Sequence, residues 1–264
     1  MKNLTKLFGI IAVVAMIIFS MGCDFLFEEP PPPTPPPTPT SFRVVDPMNS
    51  SSIGVFGAIH LQWSGSSSAD GYRILRSNTA TGSYTQIHQT TGTSYQDTSL
   101  GDGTRRFYKI KAYNSAGESA ESAVIVGTTA FSTTAMGSLS GNVPFSGSFT
   151  RRDLLAGETH YYFINATNNN FGVAWGDYDR TSNTNLVTPY ADIEVGIRFD
   201  GDASYVYEMC DWGSNGPTKN SSAASRNYFA FDTSPSQYKG WYTVVVKGYV
   251  ASSAGNYSIG YRLW

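Results

Sequence analysis

The chain has 264 residues, of which 41% are hydrophobic and 14% aromatic, and 18 Lys and Arg stand against 20 Asp and Glu for a formal net charge of −2. That balance is too weak and too acidic for a nucleic-acid partner, which needs clustered Lys and Arg. Gly, Ser, Thr and Tyr abound, and Tyr, Phe, Val and Ile favour pleated, half-buried surfaces, so the composition points to strands joined by turns. The length leaves room for one or two domains.

The elements begin with Lys2 and Lys6, a short positive segment, followed by the apolar run Leu7 to Phe19. About 13 apolar residues fall short of the roughly 20 that a bilayer core needs. They match the hydrophobic region of an export signal. Ser20-Met21-Gly22-Cys23 follows, with small residues three places and one place before the cysteine. This arrangement resembles the lipobox of bacterial lipoprotein precursors, with Ser20 where Leu is usual and Met21 bulkier than the norm. The resemblance implies that residues 1–22 are a signal peptide. Cys23 then becomes an acylated N-terminus, carrying chains such as palmitate that anchor the protein to a bacterial cell membrane, at the outer membrane or the cell surface. Ordinary secretory cleavage, with Cys23 a spectator, is the alternative. Loss of Lys2 and Lys6 takes the mature charge to about −4. With Cys23 acylated, Cys210 has no partner and an internal disulfide framework is not expected.

Residues 23–40 form the next segment. From Pro30 to Thr40 the chain is proline broken only by threonine. Such a segment prefers polyproline II, and at about 3.1 Å per residue its span of roughly 34 Å suits a semi-rigid stalk. No later segment reads as a transmembrane helix.

Residues 41–129 contain short alternating runs bounded by turn residues. Ile59, Leu61 and Trp63 alternate with His60 and Gln62. Tyr72, Ile74 and Arg76 alternate with Arg73 and Leu75, and Tyr108, Ile110 and Ala112 with Lys109, Lys111 and Tyr113. About seven such runs in this length predict a β-sandwich. Trp63, the run Gly71-Tyr72-Arg73-Ile74, and Tyr108 through Ser119 with its Asn114-Ser115-Ala116-Gly117-Glu118-Ser119 turn resemble a fibronectin type III domain. One departure bears on stability. The family's corner Tyr, six residues after a conserved Leu, falls here on Arg106, counted from Leu100. The hydrogen bond of that corner is expected to be lost or replaced. The loop 114–119 has no Arg-Gly-Asp tripeptide, and in bacterial proteins such modules often serve as spacers.

Residues 130–140, rich in Thr, Ser, Gly and Ala, read as a linker. Residues 141–264 then resume alternation: His160 to Ile164; Phe171, Val173 and Trp175; Ile193, Val195, Ile197 and Phe199; Tyr242, Val244 and Val246; and Tyr257, Ile259 and Tyr261. Gly-rich turns separate these runs and no helical period appears. A second antiparallel sandwich of about eight strands is predicted. Three stretches carry a further resemblance: Gly157-Glu158-Thr159-His160-Tyr161-Tyr162-Phe163, Ala191 to Val195, and Gly240 to Tyr249 with Gly255 to Ile259. They are similar to the bacterial pre-peptidase C-terminal type of sandwich, a jelly-roll-like and non-catalytic module. The expected fold class is therefore all-β, two tandem antiparallel β-sandwiches after a signal peptide and a Pro-rich linker.

Candidate sites are aromatic and acidic. Trp212 lies in the loop-like stretch Cys210 to Gly216, Trp175 and Tyr178 flank Gly176-Asp177, and Trp241 opens a strand. Exposed rings of this kind stack on sugars because they offer large contact area at low entropy cost. Core packing is the other role open to them. Asp177, Asp179 and Asp192 are candidate ligands for a structural Ca²⁺, which takes six to eight oxygens, although no EF-hand spacing is present. No other cofactor is expected.

His60, His88 and His160 fit no zinc spacing, and neither a Gly-x-Ser-x-Gly elbow nor a phosphate loop occurs. The expectation is a non-catalytic surface lipoprotein. Its partners would be the membrane, through lipidated Cys23, and a glycan or extracellular-matrix ligand on the C-terminal sandwich, with no nucleic acid. The alternative is a structural or assembly lipoprotein that binds another envelope protein.

Overall fold

Alternation in the first domain translates directly into two facing sheets. The computed structural model describes residues 31–45, 56–140, 146–166, 171–176, 178–179, 184–185, 193–199, 206–209, 229–232, 241–248 and 254–264. The first domain comprises β1 (Thr40–Val45), β2 (Ile59–Ser64), β3 (Gly71–Ser77), β4 (Thr85–Thr90), β5 (Ser94–Asp97), β6 (Arg105–Asn114), β7 (Gly117–Glu118) and β8 (Ile125–Thr128). One sheet runs β1-β2-β5. The other runs β4-β3-β6-β7, with β8 also paired to β6. All named pairings here are antiparallel.

Ile59, Leu61 and Trp63 from one sheet meet Tyr72, Ile74, Tyr108, Ile110 and Ala112 from the other. Each such burial contributes roughly 1.5–3 kcal/mol. The alternate residues His60, Gln62, Lys109 and Lys111 stay partly open to solvent. This is the sandwich that the resemblance to fibronectin type III implies.

Arg106 fills the corner position with a local contact only. Arg106 is half-buried, its Nη1 donating to the Arg105 carbonyl at 2.8 Å, and its Nε is buried with no hydrogen-bond partner. Two residues on, the buried Tyr108 hydroxyl donates to Asp97 Oδ2 at 2.7 Å. Arg76 Nη1 reaches both Asp97 oxygens at 2.9 Å. Strands β3, β5 and β6 are thereby tied by one buried carboxylate. Burial and the neighbouring Asp97 raise the Tyr108 pKa, so its hydroxyl remains a donor.

The proline segment is not a free spacer to its end. Pro36 and Pro39 are buried. Polyproline II has three residues per turn, so this spacing puts both rings on one side. Ser66 Oγ donates to the Pro37 carbonyl, and Thr38 Oγ1 to the Ala120 carbonyl at 3.2 Å. The C-terminal half of the expected stalk is part of the first domain's packing.

The predicted linker 130–140 is likewise structure. Phe131 forms a parallel bridge with Tyr162, a short 3-10 turn spans Thr133–Ala135, and β9 (Gly137–Ser140) follows. Phe131, Met136 and Leu139 are buried. The glycine that suggested looseness serves close packing: a Cβ at Gly137 would lie 2.2 Å from the Ser148 carbonyl oxygen. The boundary between the domains therefore lies near residue 129.

The second domain continues with β10 (Ser146–Gly147), β11 (Thr150–Leu154), β12 (Thr159–Asn165), β13 (Phe171–Gly176), β14 (Tyr178–Asp179), β15 (Thr184–Asn185), β16 (Ile193–Phe199), β17 (Val206–Met209), β18 (Phe229–Asp232), β19 (Trp241–Gly248) and β20 (Gly255–Leu263). One sheet is β10-β9-β20-β13-β18, with β11 beside the other half of β20; the second is β12-β19-β16-β17. The predicted sandwich is present, but not wholly antiparallel, since β9 runs parallel to β20.

Its core joins Tyr162, Ile164, Val195, Ile197, Val244 and Val246 to Leu154, Val173, Trp175, Tyr257 and Ile259. Among the described residues no helix is long and apolar enough to cross a membrane. Both sandwiches lie within one compact unit, Pro35–Trp264.

Candidate functional site

A buried polar cluster lies where the two sandwiches meet. Leu155 to Glu158 is a tight turn: the Glu158 N–H donates to the Leu155 carbonyl at 3.0 Å, and Gly157 takes φ +74°. That left-handed conformation suits glycine. The turn delivers the Glu158 carboxylate, fully buried, to β6 and β8 of the first sandwich. Arg105 Nε and Nη2 each donate to one carboxylate oxygen at 2.7 Å, the bidentate fork that guanidinium geometry favours. Thr128 Oγ1 donates to Oε1, and the Leu155 N–H donates to Oε2 at 2.9 Å. Arg105 also holds Asp153, through Oδ2 at 3.0 Å and the carbonyl at 2.8 Å. Burial by itself would raise the Glu158 pKa. His160, Arg105 and Thr128 outweigh it and hold the pKa at about 2.

Behind Glu158 runs a buried chain of side chains. His160 Nε2 lies 3.1 Å from Glu158 Oε1 without the alignment of a hydrogen bond. His160 Nδ1 is 2.6 Å from the Tyr257 hydroxyl, which is 2.5 Å from the Tyr162 hydroxyl. Burial pushes Tyr162 up to about 12 and Tyr257 well above its ordinary value. Phe131 stacks on Tyr162 at 4.9 Å, with the Arg152 guanidinium 4.8 Å from its ring centre. These groups are acid–base residues by type, yet Glu158, His160, Tyr162 and Tyr257 are each at most 1% exposed. A general acid or base has to reach a substrate proton within hydrogen-bond distance. This cluster holds two domains together.

The outer side of the same seam is open. A groove of about 160 Å³ is lined by Phe42, Arg43 and residues 125–127 of the first sandwich and by Gly157, Thr159 and Tyr161 of the second. Beside it, Ala130, Tyr161 and Phe163 form a second apolar cluster, with Trp241 and Val245 packed against it. Phe56 of the first sandwich caps that cluster. Its ring centre is 5.1 Å from Phe163 at 88° and 6.3 Å from Trp241 at 62°, and the residue remains 43% exposed.

The expected site residues fare differently. Cys23, Trp212, Asp177 and Asp192 lie outside the described residues. Tyr178 and Asp179 form the two-residue strand β14, paired with β15. Trp175 is 3% exposed in the second core, so its ring faces are taken by protein and cannot stack on a ligand. Trp241 is partly exposed at the seam. Among the described residues no group of three or more His, Cys, Asp or Glu is placed to hold a metal ion. The seam residues Arg105, Glu158 and Phe56 were not singled out as site residues from sequence. The one signal available was a charged Gly-Glu turn immediately before the apolar run of β12.

No protein-family model matches the chain. Over 79 residues it is 34% identical to an amylopullulanase of Thermoanaerobacterium saccharolyticum, an alignment covering 30% of this chain and 6% of that protein's length. Among solved structures it is similar to a variant of FN3tt, at 24% identity, over 36% of this chain and 96% of that one, with a TM-score of 0.30. A Fn3-like protein from Clostridium thermocellum is 29% identical over 35% of this chain and 92% of that one, also with a TM-score of 0.30.

Proposed function

We propose that the chain is a non-catalytic lipoprotein, exported and anchored through Cys23 to a bacterial membrane, that holds a ligand-binding sandwich away from the lipid surface. The first sandwich is a stiff spacer. The second, of the pre-peptidase C-terminal type, binds carbohydrate or extracellular matrix. The observation that carries this reading is the bidentate Arg105–Glu158 pair, which ties the spacer to the distal domain. The local likeness to an amylopullulanase, a glycan-related name, supports carbohydrate as the ligand class.

Metabolic labelling with a radioactive fatty acid tests the anchor: label on the intact protein and none on Cys23→Ala is expected, and a labelled Cys23→Ala protein overturns it. Pull-down on insoluble polysaccharides and matrix proteins tests the ligand. In a second reading an envelope protein docks on the sandwiches. Silence across a glycan array with co-purification of one protein would decide for it.

A further inference from the structure

We propose that the buried side chains between Arg152 and Glu158 form a one-way hydrogen-bond relay, through which docking of the first sandwich fixes a histidine tautomer and two hydroxyl directions inside the second. His160 is the positioning residue at its centre. The relay is independent of whatever ligand the second sandwich takes.

It has two links and two possible directions. His160 Nδ1 is 2.6 Å from the Tyr257 hydroxyl, which is 2.5 Å from the Tyr162 hydroxyl. All three residues are at most 1% exposed, so bulk water offers them no other partner. Each hydroxyl carries one hydrogen, and a neutral imidazole carries one on either nitrogen. In the first direction Tyr162 donates to Tyr257, Tyr257 donates to His160 Nδ1, and the imidazole hydrogen sits on Nε2. In the second, His160 Nδ1 donates to Tyr257, Tyr257 donates to Tyr162, and Nε2 is a bare lone pair.

The charges at the two ends select the first direction. At one end His160 Nε2 lies 3.1 Å from Glu158 Oε1. A hydrogen on Nε2 presents positive charge to the carboxylate, whereas a lone pair there would face like charge. The site is fully buried, where such differences are large. At the other end stands Arg152. Its guanidinium lies over Phe131, which stacks on Tyr162, and it draws the Tyr162 pKa down against burial. Tyr162 is therefore better placed with its lone pair, not its hydrogen, towards Arg152. Both ends orient the hydrogens the same way, from guanidinium to carboxylate.

The first sandwich sets the carboxylate end. Glu158 is held as a buried anion by Arg105 of β6 and Thr128 of β8. Tyr162 belongs to β12 and Tyr257 to β20, one in each sheet of the second sandwich. A contact made by the first domain thus reaches across the second domain's core. Once the Glu158 charge is gone, Nε2–H has nothing to face and the second direction becomes accessible.

The test is nitrogen NMR of the mature chain, isotope-labelled in its histidines, at about pH 8, above the ordinary imidazole range. The chain has three histidines, so His60→Gln and His88→Gln assign the signals of His160. A single His160 tautomer with Nε2 protonated and Nδ1 bare is expected. A protonated Nδ1, alone, in a mixture or together with Nε2, overturns the relay. Arg105→Leu with Glu158→Leu, in which both charges leave together, should bring the Nδ1–H tautomer into view. Should that variant fail to fold, Glu158→Leu alone carries the same reading, since Arg105 keeps Asp153 as a partner. A folded variant that retains Nε2–H alone overturns the coupling to the first sandwich.

Discussion

Arg105 and Glu158 are 53 residues apart in the chain, yet the guanidinium of one closes on the carboxylate of the other through two hydrogen bonds of 2.7 Å, joining two sandwiches that the sequence separates. The pair replaces flexible tandem domains with one unit. Its energetic logic is that of a buried charge: the carboxylate is tolerable only while the cation and the Thr128 and Leu155 donors remain.

Arg105→Ala should therefore destabilise the protein by about 3–5 kcal/mol, because it leaves Glu158 buried and uncompensated. The double variant Arg105→Leu with Glu158→Leu should lose less than Arg105→Ala alone, since both charges leave together. Chemical denaturation of the three proteins measures this. A double variant at least as unstable as Arg105→Ala would contradict the charge argument.

Glu158 also predicts the acid limb of stability. Its folded pKa of about 2 lies below the ordinary 4.5, so between these values the unfolded chain binds the extra proton. The stabilisation, on the order of 3 kcal/mol, is fully present above pH 4.5 and is lost as pH falls towards 2. Melting temperatures between pH 7 and 2.5 should fall steeply for the parent protein and more gently for Glu158→Gln. Equal slopes would remove Glu158 as the cause.

Arg106→Tyr should raise the melting temperature. The arginine Nε is buried without a hydrogen-bond partner at the place where the fibronectin type III resemblance expects the corner Tyr. Relieving an unsatisfied donor contributes about 1–3 kcal/mol. A clear drop in calorimetry would mean that the alignment from Leu100 is out of register.

Tyr108→Phe should cost about 1.5–3 kcal/mol, the range for a hydrogen bond to a charged group, because Asp97 loses a buried donor while Arg76 remains. Urea midpoints measure it. Little or no change would show that Arg76 alone satisfies the carboxylate.

Much of the fold is legible in short stretches of sequence because strand burial is a local, two-residue periodicity. Ile59, Leu61 and Trp63, or Tyr108, Ile110 and Ala112, declare a buried face without reference to anything distant, and all six are buried. The proline segment likewise declares its extended form. What sequence could not declare is which surfaces meet. Pro36 and Pro39 dock on the first sandwich, and Phe131, Met136 and Leu139 pack from within a stretch of Thr, Ser and Gly. Trp175 goes to a core while Phe56, from the other domain, reaches Trp241. Arg105 and Glu158 sit in strand and turn positions that ordinarily face water. Only the closure of two sandwiches against each other takes that water away, and desolvation is a property of the assembled pair that no window of neighbouring residues contains.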